Sequence, residues 1–147
     1  MEVISELIDN MTDDSASKDQ VISKVIQAKL DNTLREMINN CGDIVGAMVS
    51  SRDGLAWSEQ LQEGLDQHRF AAMSSALLAL SDTLISETHQ SKPKNVFLES
   101  EAGNIFVMHA GTNLLLTTFT KATAQIGMPL AFSKKAADEI SELKLNS

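Results

Sequence analysis

At 147 residues, 43% hydrophobic and 22% charged, the chain has the length and composition of one ordinary globular domain with a full core. Its net charge of −8 is uneven: residues 1–20 carry six acids against Lys18, and the other 14 acids and 11 bases leave a nearly neutral body without a basic stripe, which argues against nucleic acid or an anionic membrane as a partner. A single cysteine, Cys41, excludes an internal disulfide and a multi-cysteine metal site.

Residues 2–11 form a short amphipathic pattern with Val3, Ile4, Leu7, Ile8 and Met11 on one side. A helix this short is marginal alone and needs a surface to pack on. The N-terminus has no basic start followed by an apolar core, so no signal peptide is read there and a cytoplasmic protein is expected. Residues 12–18 read as a polar linker, which makes 1–18 an acidic appendage to a domain spanning 19–147. A second helix is expected from Asp19, with the stripe Ile22, Ile26, Leu30, Thr33, Met37 and Cys41 and a stop at Gly42.

The period then changes to two. Ile44–Ser50 and Leu55–Glu59 are strand-like, joined by Ser51-Arg52-Asp53-Gly54, whose Asp-Gly pair signals a hairpin. Asp66–Glu87 reads as one long helix. Three strands follow: Asn95–Ser100, Ile105–Ala110 and Leu114–Thr120, separated by short Gly- and Asn-containing turns. A last helix is expected from Met128 to Lys144, with Pro129 in its first turn. Strands joined by tight turns are antiparallel. Ile44–Val49 and Ile105–Met108 are apolar on both faces, as central strands covered by helices on both sides must be. The fold class is therefore α+β, a five-stranded antiparallel sheet with two helices on one face and the long helix alone on the other.

The long helix is unusual. Residues 70–81 carry no charge and no helix breaker. Met73, Leu77, Leu80 and Leu84 make one bulky face, and Ala72, Ala76, Ala79 and Thr83 make a row of small residues with Ser75 beside it. A helix bulky on one side and small and uncharged on the other is expected to be buried on both, the second time against another chain. The small row has two readings: a contact within the chain beneath another helix, or a self-pairing surface where small side chains let two backbones approach closely.

Chemistry-bearing motifs point elsewhere. No G-x-x-x-x-G-K-[ST] or G-x-G-x-x-G phosphate loop occurs, and no G-x-S-x-G nucleophile elbow. His68, His89 and His109 are dispersed without metal-ligand spacing. Arg52 and Arg69 read as a hairpin arginine and a first-turn helix arginine, ahead of the alternative of an arginine acting in trans on a bound nucleotide. No cofactor is expected.

The order of elements, with Gly46-Ala47-Met48-Val49-Ser50-Ser51-Arg52-Asp53-Gly54-Leu55, Phe70-Ala71-Ala72-Met73-Ser74-Ser75-Ala76, Asn113-Leu114-Leu115-Leu116 and Ile126-Gly127, resembles the roadblock/dynein light chain family over about Leu30 to Leu143. The resemblance implies homodimers paired through the central helix and the strand after it, giving one sheet across two subunits. The corresponding interface residues are Ala72, Ser75, Ala76, Leu78, Ala79, Thr83, Val96 and Leu98. It also implies a non-catalytic regulator or scaffold of a Ras-like small GTPase. The alternatives are a structural light-chain subunit of a larger complex, or a small-ligand sensor of profilin-like fold with a pocket between sheet and helix. The acidic N-terminal segment is a departure from a minimal family member.

Overall fold

The computed structural model describes residues 15–89, 91, 95–122 and 125–143; the expected helix over 2–11 lies outside them. In chain order they form helix α1 (Ser15–Asn40), strands β1 (Ile44–Ser51) and β2 (Ala56–Gln60), helix α2 (Gln67–Glu87), strands β3 (Asn95–Glu99), β4 (Gly103–His109) and β5 (Leu114–Lys121), and helix α3 (Gly127–Ser141). The five strands form one sheet in the order β2-β1-β5-β4-β3, every neighbouring pair antiparallel.

One layer of core lies between the sheet and helices α1 and α3. Leu30, Leu34 and Met37 from α1, and Ala136, Ala137 and Ile140 from α3, close over Ala47, Val49, Phe106, Met108 and Leu116. Phe97 stacks on Phe106 in this layer, with ring centroids 5.1 Å apart. Cys41 is buried at the end of α1, in the apolar surroundings expected of it. Ser133 of α3 donates to the Pro129 carbonyl at 2.7 Å and accepts from Thr118 Oγ1 at 3.0 Å, so this buried hydroxyl is satisfied. The other face of the sheet carries α2 alone, over a smaller cluster of Leu78, Val107 and Leu115.

Several boundaries differ from expectation, among them the end of α3, which closes at Ser141 rather than Lys144. Helix α1 begins at Ser15, so residues 15–18 extend the helix where a linker was expected; Ser-Ala-Ser-Lys contains no breaker, and Ala and Lys favour helix. Strand β2 begins at Ala56 because Leu55 belongs to the turn, where its carbonyl accepts the Ser51 N–H at 2.8 Å. Strand β4 begins two residues early, at Gly103. A bulge between Ile44 and Gly46 shifts the β1–β5 register, a feature that period-two alternation does not announce.

Candidate functional site

Helix α2 is fixed at its start by Asp66, whose carboxylate accepts the N–H groups of His68 (2.9 Å) and Arg69 (3.4 Å). Phe70 then meets Phe119 of β5 edge-on, centroids 5.6 Å apart. Beyond it the helix lies close to the sheet because its underside is small: Ala71, Ser74 and Leu78 are its buried residues. Ser74 Oγ accepts from Thr117 Oγ1 at 3.0 Å in a buried hydroxyl pair. The Ser75 hydroxyl donates to the Arg52 carbonyl, and Gly54 of the hairpin (φ 86°) approaches so near that a Cβ there would sit 3.3 Å from Ala72 Cα. Further along, Asp82 faces His109 of β4 at 3.7 Å.

This seating reverses one expectation. The bulky row does not enter the core. Met73, Leu80 and Leu84 are 50%, 66% and 65% exposed, and Leu77 is half-buried. The small row Ala72, Ala76, Ala79 and Thr83 is exposed beside them, so the two rows form one outward face. The physical reason is steric: where the helix is tied to the sheet through Ser74–Thr117 and Gly54–Ala72 only small residues fit beneath it, and a leucine, Leu78, enters only a turn further on. The hydroxyls of Ser81, Thr83 and Ser86 donate to the carbonyls four residues back, which keeps the C-terminal half of the helix free of unmet donors.

Leu78 belongs elsewhere. It is 2% exposed and packs with Val107 and Leu115, so it serves the chain's own core and is not available to a second chain. Ser75 is half-buried and engaged with the hairpin. Val96 packs against the same small cluster, whereas Leu98 is 43% exposed. Both stand on β3, an edge strand that pairs only with β4 among the described residues. The outward face of α2 and the free edge of β3 are thus the two unpartnered surfaces that follow each other in the chain. Sequence reasoning missed Met73, Leu80 and Leu84 as surface residues; their lack of flanking charge was the available signal.

The residues weighed for chemistry are structural or dispersed. Arg52 donates to the Thr112 carbonyl at 3.4 Å, tying the β1–β2 hairpin to the β4–β5 turn. Arg69, His68 and His89 are exposed on α2 or its end. No group of three or more His, Cys, Asp or Glu is placed to hold a metal among the described residues, and no described helix is long and apolar enough to cross a membrane.

A family model described as the Roadblock/LC7 domain matches residues 30–120. No curated protein matches the chain. Among solved structures, Myxococcus xanthus MglB superposes with a TM-score of 0.76 at 16% identity, covering 82% of this chain and 92% of that one. A Roadblock/LC7 domain from Streptomyces avermitilis does so at 0.70 and 20% identity, covering 77% and 95%. Profilin II of Acanthamoeba castellanii shares the architecture at 0.59 and 12% identity, covering 78% and 98%. At these identities the solved structures establish the fold.

Proposed function

The chain belongs to the Roadblock/LC7 family, and from that premise we propose that it is a non-catalytic, homodimeric regulator or scaffold of a Ras-like small GTPase. The observation that carries the dimer is the outward face of α2. It presents three large apolar side chains at half to two-thirds exposure, and span 70–81 holds no charge. A contiguous exposed apolar patch of this kind marks an interaction site.

The sequence of that face fits a copy of itself. An antiparallel, two-fold pairing centred between Ala76 and Leu80 sets Leu80 against the partner's Ala76, Leu84 against the partner's Ala72, and Met73 against the partner's Thr83. Each large side chain meets a small one, and Arg69 at one end meets the partner's Glu87. An isologous interface requires this self-complementarity. The adjacent β3 edges then pair to continue the sheet, which also removes an exposed strand edge. A solved MglB described as having a tetrameric arrangement supports self-association in this fold.

GTPase regulation rests on the family resemblance. Nucleotide chemistry is assigned to the partner, because the chain has no phosphate-binding loop motif. The paired α2 helices offer a wide face of low charge for docking. Light scattering at tens of micromolar tests the dimer: the native chain runs as a dimer and Ala76→Arg as a monomer, since the arginine would bury an unpaired charge against the partner's Leu80. A native monomer, or a dimeric Ala76→Arg, contradicts the assignment.

A further inference from the structure

Helix α2 lies mainly over the part of its sheet face nearest the β1–β2 hairpin. Its contacts there run to Arg52, Gly54, Val107, His109, Leu115 and Thr117, and toward the opposite end Phe70 meets Phe119 edge-on. Strand alternation places Ile105, Phe119 and Lys121 on the same face at the opposite end, where Ile105 lies across from Phe119 and Gly103 across from Lys121, and Val45, at the bulge in β1, lines the same region. Val45, Ile105 and Phe119 are only half-buried although they stand in central strands.

Beyond Phe70 the face opens into a cleft of about 440 Å³. Its floor is Val45, Gly46, Ile105 and Phe119, and its walls are the β2–α2 loop with Leu61 and Leu65 and the β3–β4 turn. Two of its lining glycines let neighbouring backbone approach closely. A Cβ on Gly103 would lie 2.5 Å from the Thr120 carbonyl oxygen, and one on Gly46 3.0 Å from that of Gln60. The volume falls within the roughly 300–1,000 Å³ of small-molecule sites, and the mix of apolar floor and few polar groups is typical of them.

The charges around it select the ligand. Lys121 is the one charged residue lining the cleft among the described residues, and it is exposed. Glu99 and Glu101 line an adjoining hollow that shares Ser100, Asn104 and Ala122 with the cleft. A single anionic group pairs with Lys121; a second, further out, meets two carboxylates. Polyphosphates are thereby disfavoured. We propose that this cleft binds a small organic monoanion with an apolar body, of the class of medium-chain aliphatic or aromatic carboxylic acids. The body lies on Phe119, Ile105 and Leu61, and the carboxylate meets Lys121. This site is separate from the outward face of α2 and from the dimer it serves.

The test is calorimetric titration of the full chain with decanoate below its micellar concentration, and with decanol as the neutral comparison. Decanoate binds the native chain more tightly than decanol does. Lys121→Glu, an exposed change that leaves the fold intact, weakens decanoate about tenfold, equivalent to about 1.4 kcal/mol, and leaves decanol unchanged. Leu80→Ala on α2 changes neither. An absence of binding overturns the proposal. So does decanoate affinity unaffected by Lys121→Glu, loss of both ligands together on that change, or loss of decanoate on Leu80→Ala.

Discussion

Replacing Leu80 with alanine separates a surface that pairs from a surface that merely happens to be apolar. Leu80 is 66% exposed in the single chain, so about two-thirds of its side chain remains to be buried by a partner. Full burial of a leucine is worth about 1.5–3 kcal/mol, so this recoverable part is worth about 1–2 kcal/mol. The pairing is two-fold, so each dimer loses two such contacts, about 2–4 kcal/mol. At 1.4 kcal/mol per decade, the dimer dissociation constant rises by roughly 30-fold to several hundred-fold. Sedimentation equilibrium over a wide concentration range measures it directly. Far below the native dissociation constant, the melting of Leu80→Ala matches that of the native chain, because Leu80 supports nothing within one protomer. An unchanged dissociation constant places the interface elsewhere. A large loss of stability in the dilute monomer means that Leu80 packs on the chain's own core, and the seating of α2 is wrong.

Leu78→Ala, two residues away, behaves in the opposite sense: it empties the cluster with Val107 and Leu115 and costs about 2–5 kcal/mol in urea unfolding of the dilute monomer, where a cost near zero would contradict its burial. Gly103→Ala drives a methyl toward the Thr120 carbonyl, which forces the β4–β5 ladder to shift and costs about 1–3 kcal/mol by the same assay; an unchanged midpoint would show that the strands relax freely. Removal of residues 1–18 takes away the acidic segment and the first turn of α1 and leaves a cooperative melt, with a loss of at most a few kcal/mol. A truncated chain without a cooperative transition would place that segment in the core.

The strands and helix ends were legible because each carried a local signal. Asp53-Gly54 set the hairpin, Asp66 capped α2 at the expected residue, and the two-sided apolar runs in β1 and β4 gave central strands. The orientation of α2 was not legible. Hydrophobic periodicity assigns the bulkiest row to the core, but here the core side is Ala71, Ser74 and Leu78: close approach of the helix to the sheet selects the small Ala71 and Ser74, and Leu78 fills the cluster with Val107 and Leu115. The partner of Ser74 is Thr117, 43 residues away, which no single segment reveals. The same limit hid the cleft, which opens beyond Phe70 over Val45, Ile105 and Phe119. Among the residues expected at an interface, the small row is exposed and uncharged, while Leu78, with the same apolar signal, lies inside.

The proposed action on a Ras-like GTPase is tested by binding of the purified full chain to each candidate small GTPase from its own cell, loaded in parallel with GDP or a non-hydrolysable GTP analogue. A regulator shifts its partner's equilibrium only through differential affinity, so one nucleotide state binds at least about tenfold more tightly, and Ala76→Arg weakens that preferred complex. Equal binding in both states points to a scaffold without regulation. Absence of binding in either state, for every candidate, contradicts the account.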